Sequence, residues 1–160
     1  MNVRPATPAD LPEIAAIYAY YVTETVATFD EEPLGLPEWR ARFDRGGPFL
    51  VAEVDGEVAG YAYAAQYRPK PAYRHTLENS IYLAPGRTGQ GLGRALLGAL
   101  LAECAAAGAR RVVAVIADTG DPSSLALHRS FGFEEAGRLR EVGFKHGRWI
   151  DTILLQYGVA

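Results

Sequence analysis

The stretch Gly86-Arg87-Thr88-Gly89-Gln90-Gly91-Leu92-Gly93 carries the clearest chemistry in the chain. It links the strand-like run Asn79 to Leu83 to the apolar pattern Leu92, Leu96, Leu97, so a glycine-rich turn opens a helix. Glycines let the backbone approach a ligand closely, and the unpaired N–H groups of a first helical turn, with the positive end of the helix dipole, attract phosphate. The chain is therefore expected to hold a phosphorylated ligand, mostly through backbone amides. Two titratable residues flank this loop. Upstream, the side-chain period of a strand sets Thr76, Glu78, Ser80 and Tyr82 on one face, opposite Leu77, Ile81 and Leu83. A carboxylate at that position fits a general base as well as it fits a solvent-facing strand residue. Downstream, His128 stands four residues before Gly132-Phe133, where it could exchange a proton or simply pack within a helix.

Spacing separates the phosphate-binding loops that glycine richness alone would allow. No Gly-Lys-Ser/Thr follows, so neither the lysine nor the magnesium-binding hydroxyl of a P-loop is supplied. A dinucleotide fingerprint is also broken. G-x-G-x-x-G begun at Gly89 ends on Arg94, and begun at Gly91 it ends on Leu96, so the third glycine is missing although a strand ending at Asp118 follows the helix.

Around this loop the pattern predicts β-α-α-β-β-β-α-β-α-β-β. A strand near Val3 leads to a capping-box-like start at Thr7 and Asp10, with Pro8 at the first helical position and Leu11, Ile14, Ala15, Tyr18, Tyr21 and Val22 at helical spacing. Leu36, Trp39 and Phe43 mark a second helix, and Phe49 to Val54, Asp55-Gly56 and Val58 to Ala65 read as a hairpin. A fourth strand is expected from about Arg74 to Leu83. A helix to about Ala107, a strand over Val112 to Ala117, a helix near Ser123 to Ser130 and two closing strands complete the order.

The loop Thr88-x-x-Gly91-x-Gly93 resembles the pyrophosphate loop of the GCN5-related N-acetyltransferases, usually written Q/R-x-x-G-x-G/A. Thr88 replaces the usual Gln or Arg, with Arg87 adjacent. Read together, Thr28-Phe29-Asp30-Glu31, Tyr73-Arg74-His75-Thr76-Leu77-Glu78-Asn79-Ser80-Ile81-Tyr82, Asp121-Pro122-Ser123-Ser124, Leu127-His128 and Gly143-Phe144-Lys145-His146-Gly147-Arg148-Trp149 resemble phosphinothricin and methionine sulfoximine/sulfone N-acetyltransferases across nearly the whole chain. The resemblance implies an α/β fold with a mixed sheet of about seven strands and about four helices. It also implies acetyl transfer from acetyl-CoA to the α-amino group of a small amino-acid-like substrate, in a homodimer to which Gly143 to Trp149 contributes.

The same resemblance assigns roles. Glu78 becomes the base that the mostly protonated amine requires. His128 is the candidate proton donor to the departing thiolate, or a second base. Arg87, Thr88, Gly89, Gln90, Gly91, Leu92, Gly93 and Arg94 fall to the cofactor, with Ile81, Tyr82 and Leu83 along it. Asp121, where relatives carry Asn, and Ser124 are expected beside its arm. In the segment Tyr67-Arg68-Pro69-Lys70-Pro71-Ala72-Tyr73-Arg74, Arg68 and Arg74 border the catalytic strand, where a guanidinium fork could hold an anionic substrate group. Tyr73 belongs with them, and Phe29 and Tyr63 are candidate walls. Another amine acceptor (a polyamine, an aminoglycoside or a protein N-terminus) and a non-catalytic acyl-CoA sensor are the alternatives.

Composition agrees with one soluble domain. A chain of 160 residues buries roughly 68–70% of its unfolded surface, enough for one core. The first residues lack a signal-peptide run, no window approaches a membrane span, and the cytoplasm is the expected location. A net charge of -3 disfavours nucleic acid as a partner, and one cysteine excludes an internal disulfide framework. Cys104 shares helical spacing with Leu92, Leu96 and Leu100 and is expected in the core. Neither His75 nor His146 has metal-ligand spacing with another ligand residue, so no metal is expected.

Overall fold

Apolar residues alternating along the inner strands face helices on both sides of a single sheet. The computed structural model describes residues 1–159. Its elements are β1 (Asn2–Pro5), α1 (Leu11–Glu24), α2 (Leu36–Asp44), β2 (Phe49–Val54), β3 (Glu57–Gln66), β4 (Thr76–Leu83), α3 (Leu92–Ala106), β5 (Arg111–Ala117), α4 (Ser123–Ser130), β6 (Glu134–Lys145) and β7 (Arg148–Gly158). This is the order the sequence predicts. The sheet runs β1-β2-β3-β4-β5-β7-β6, and only β4 and β5 pair in parallel, joined by the crossover through α3.

Period two assigns the strand residues to layers. In β3, Tyr61 and Val58 join Ile14, Tyr18, Val22 and Trp39 beneath α1 and α2. Ala62 and Ala64 instead meet Leu92, Leu96, Leu97 and Leu100 of α3. Cys104 completes that α3 stripe as expected, fully buried, and burial pushes its thiol up to about 11, which leaves it inert. A register shift opposite Ala52 and Glu53 puts Val58 on the face of Tyr61, while Gly60 shares the α3 face with Ala62 and Ala64. A Cβ at Gly60 would stand 2.8 Å from Leu83 Cδ2 and 3.2 Å from Leu96 Cδ1, so its absence lets α3 lie flush on β3 and β4.

The start of the chain is fastened by Arg4. Its guanidinium forks onto Asp10 at 2.8 and 2.9 Å and reaches Glu53 at 2.8 Å, tying β1 to the entrance of α1 and to β2. Asp10 also accepts the Thr7 backbone N–H at 2.8 Å, the capping contact the sequence predicts, in a 3-10 turn over Pro8–Asp10 that precedes α1. The Arg4 hydrogen bonds hold the Asp10 carboxyl below its ordinary range against the cost of burial. That contribution is complete above the unfolded Asp pKa and fades as pH falls through the folded one. Asp10→Asn should cost about 1–3 kcal/mol, because it weakens a buried charge-assisted fork. Chemical denaturation at pH 7 and at pH 3 checks this: the gap between variant and parent should shrink at the lower pH.

Two boundaries differ from the expectation. Arg74 lies outside β4, because Pro69 and Pro71 cannot donate to a ladder and Pro71–Tyr73 forms a 3-10 turn. The excursion closes through Tyr67 N–H to Thr76 C=O at 3.0 Å. The closing strands, expected near Ala136 to Phe144 and Trp149 to Tyr157, each run a residue or two further, which raises a long two-stranded tip.

Candidate active site

Strands β4 and β5 part company in mid-sheet. Their parallel pairing covers only Thr76↔Arg111, Leu77↔Val112 and Glu78↔Val113. Beyond that rung β4 continues on β3 as far as Leu83, and β5 continues on β7 through Ala117↔Thr152. Each strand keeps its outer partner while the inner edges diverge, so the gap is a rigid wedge with Glu78 at its apex. Past Glu78 on β4 and past Val113 on β5, the two facing edges no longer pair with each other.

The wedge opens toward the glycine loop. Gly86, Gly89 and Gly91 adopt φ values of +83, +76 and +79°, and Gly91 is the N-cap of α3. Side chains rarely adopt this region, yet a Cβ on any of the three would meet no protein atom within 4 Å. Ordinary turn glycines such as Gly56 and Gly147 share this openness; what sets the loop apart is its place at the N-terminus of α3, where it leaves room for the pyrophosphate of a CoA-type ligand. Gly93 differs. It has an ordinary backbone, and a Cβ there would press on Leu127 Cδ2 at 3.3 Å, so it serves the α3–α4 contact.

Other residues expected at the cofactor are engaged locally. Leu92 is core, leaving only its backbone N–H for a ligand. Arg94 stacks on Phe131 with its guanidinium carbon 5.1 Å from the ring centre and donates to Ser130 at 3.2 Å. Arg87 leans on exposed Glu57 at 3.4 Å, a weak and displaceable pair. Thr88 and Gln90 are exposed on the loop. Asp121, just before α4, accepts the Ser123 N–H at 2.9 Å and hydroxyl at 2.7 Å, which hold its carboxyl low. The Tyr82 ring lies among Tyr18, Tyr21 and Tyr61, so this residue too offers the wedge only its backbone.

Glu78 points to the α1–α2 side, into a cleft of about 190 Å³ that it shares with Ser80, Tyr63, Phe49, Arg42 and Arg45. Desolvation raises its carboxyl above the usual glutamate range, with Arg68 pulling weakly the other way. Arg42 is the cation the sequence reading missed. Its guanidinium lies over Trp39 and Tyr63, 5.0 and 5.2 Å from the ring centres, and donates to the Tyr63 hydroxyl at 2.7 Å. Among the described residues it pairs with no carboxylate, so the remaining donors of a preorganised fork face the cleft.

Across the sheet from Glu78 lies His128, 2% exposed. Its Nδ1 stands 2.7 Å from the Ser124 carbonyl, which can only accept, so Nδ1 carries the proton. Nε2 is then a bare acceptor, 3.0 Å from the Asn79 side-chain nitrogen. Burial lowers its pKa. Geometry thus fails to bring His128 and Glu78 together, and the imidazole is neutral with both nitrogens occupied.

Of the expected substrate residues, Tyr63 lines the Glu78 cleft and Arg68 reaches it electrostatically from its stack on Tyr67. Arg74 instead donates to the Pro71 carbonyl at 3.2 Å, and Tyr73 packs edge-on against Tyr67. Phe29 sits on Gly143 at the β6–β7 tip, where a Cβ would collide with its ring. Buried Lys145 fastens that tip by donating to the Thr28 carbonyl at 2.8 Å. No cluster of three metal-ligating side chains occurs among the described residues, and none of their helices is long and apolar enough to cross a membrane.

A splayed parallel pair, a glycine cradle on the next helix and a carboxylate at the apex describe an acyl-CoA-dependent N-acetyltransferase, and the chain belongs to the acetyltransferase (GNAT) family, whose model matches residues 14–133. Its relatives narrow the class. Phosphinothricin N-acetyltransferase of Alcaligenes faecalis is 51% identical, the match covering 97% of this chain and 81% of the relative. L-methionine sulfoximine/L-methionine sulfone acetyltransferase of Pseudomonas paraeruginosa is 42% identical over 97% of this chain and 92% of its own. Among solved structures, a phosphinothricin acetyltransferase from Sinorhizobium meliloti in complex with AcCoA superimposes with a TM-score of 0.95 at 44% identity, covering 99% of this chain and 88% of that one.

Proposed function

We propose that the protein acetylates the α-amino group of a small amino-acid-like substrate of the phosphinothricin, methionine sulfoximine or methionine sulfone type. The carrying observation is Glu78 at the closed end of the β4–β5 wedge. Acetyl-CoA supplies an activated thioester. With its pyrophosphate at Gly89 to Gly91 and its arm along the free edges of β4 and β5, the acyl end comes to the apex. Glu78, half-desolvated and facing the cleft, takes the proton that the amine must lose before or during attack. Backbone N–H groups of the freed β4 edge receive the developing oxyanion, and its collapse breaks the C–S bond, so that CoA departs as a thiolate that takes its proton from solvent. Arg42 anchors the substrate's carboxylate, with Tyr63 as a wall and Arg68 nearby for a second anionic group.

A thiol-release assay with acetyl-CoA against these three amino acids, a polyamine, an aminoglycoside and a peptide panel tests the reading. Release with the amino acids supports it; release with peptides alone overturns the substrate, and none with any amine overturns the activity. The cradle has its own check. Gly91→Val forces a β-branched residue to positive φ and puts a side chain where the ligand would pass. Acetyl-CoA affinity should fall at least about tenfold by calorimetry.

The exposed apolar tip formed by Leu139, Val142, Phe144 and Trp149 supports a homodimer built on this hairpin. Light scattering on Trp149→Glu should then show a shift toward monomer.

A further inference from the structure

Among the described residues three buried side-chain atoms have no hydrogen-bond partner, Trp39 Nε1 and the Tyr61 hydroxyl in the aromatic layer under α1 and α2, and Asn79 Oδ1 beside the wedge. Asn79 is 7% exposed, and its side-chain oxygen is out of contact with water and with any donor. Which atom of the amide this is follows from its neighbours. The Ser124 carbonyl fixes the proton on His128 Nδ1, so Nε2 must accept, and only the NH₂ of Asn79 can donate to it. The chain Ser124 C=O, His128, Asn79 NH₂ therefore holds Oδ1 turned away from His128 in one orientation. Leaving a buried acceptor unpaired is costly, so an acceptor held in place this way is set for a donor that arrives later.

Position says which donor. Asn79 is the first β4 residue past the last paired rung, Glu78↔Val113. Its side chain lies on the face opposite Glu78 and reaches α4, which packs on β5, so the Asn79–His128 bond lies beside the apex of the wedge. Along β4, Asn79 lies four residues, about 13 Å, from Leu83, after which the chain enters the glycine loop. A ligand with phosphate at the loop presents at Asn79 the inner part of its arm, and there the N–H donor of acetyl-CoA is the secondary amide beside the thioester.

We infer that Asn79 Oδ1 accepts the N–H of the pantetheine amide nearest the thioester, and that His128 is a positioning residue that holds Asn79 in the orientation able to do so. This rests on the acetyl-CoA reading above. It gives His128 a role that needs no proton transfer, in keeping with a neutral ring whose two nitrogens are both engaged.

The test is a thermodynamic cycle on binding. Calorimetry measures acetyl-CoA and an analogue with that amide N–H replaced by an ester oxygen, each on the parent protein and on Asn79→Ala. The parent should bind the analogue about tenfold more weakly, and Asn79→Ala should bind the two alike. An equal loss in both proteins would overturn the assignment, as would equal binding of both ligands by the parent. If the parent binds neither ligand, the acetyl-CoA reading itself has failed. His128→Asn provides a second variant should Asn79→Ala unfold. It should reduce discrimination between the ligands by several-fold, whereas unchanged discrimination would remove the positioning role. Nitrogen NMR of the parent should show His128 protonated on Nδ1 alone at neutral pH; the other tautomer would reverse the Asn79 amide and sink the inference.

Discussion

Glu78→Gln is expected to lower turnover by a factor of about 10²–10⁴ and to leave acetyl-CoA affinity within about twofold of the parent. The split follows from the geometry. Glu78 projects to the α1–α2 side and lines the cleft, while the glycine loop and the unpaired strand edges proposed to meet the cosubstrate lie along the wedge. Gln keeps the shape of the carboxylate but cannot take a proton. The pH profile gives a sharper readout. Because burial raises the Glu78 carboxyl, its basic form is lost as pH falls through a value above the ordinary glutamate range, and the parent's acid limb should lie there. In the variant that limb should vanish, and its activity should rise only where the substrate amine loses its proton unaided. Parental turnover across the pH range would remove Glu78 as the base.

Periodicity and turn chemistry were enough to read the element order, because local signals set it: Thr7 to Asp10 at the entrance of α1, Asp55-Gly56 in the hairpin and the leucine stripe of α3. The cradle was equally legible, since a positive φ at Gly86, Gly89 and Gly91 is a property of the chain itself. Partner choice was not. Nothing in Thr76 to Leu83 states that β5 leaves it after Glu78, because the divergence depends on β3 and β7 retaining their rungs. For the same reason spacing located Glu78 and His128 but could not place them on opposite faces. Nor could it fix the His128 tautomer, which is set by a carbonyl one helical turn away.

Cations were the least legible part. Arg68 and Arg74 draw attention as a dense run beside the catalytic strand, yet the two prolines carry Arg74 off the strand. Arg42 looks like any polar residue on a short amphipathic helix. The signal was its i+3 spacing from Trp39, which places a guanidinium over an indole. The third member, Tyr63, comes from β3 and only the tertiary fold supplies it.

On the proposed reading, that three-way contact holds Arg42 ready to anchor the substrate's carboxylate. Arg42→Gln is expected to lower kcat/KM for an amino-acid substrate by about 10–100-fold, the loss of a charge-assisted fork of about 1.5–3 kcal/mol. Arg42→Lys should recover only part of this, since an ammonium keeps the charge but neither the fork nor the stack on Trp39 and Tyr63. Tyr63 also loses its partner in both variants, so a general disturbance of the cleft must be told apart from loss of a substrate contact. Pairing each protein with methionine sulfone and its α-carboxamide does this. The parent should discriminate strongly in favour of the free acid, and Arg42→Gln should treat acid and amide nearly alike. If both proteins favour the acid by the same factor, the carboxylate is held elsewhere, and Arg68, the cation whose field already reaches Glu78, becomes the residue to replace next.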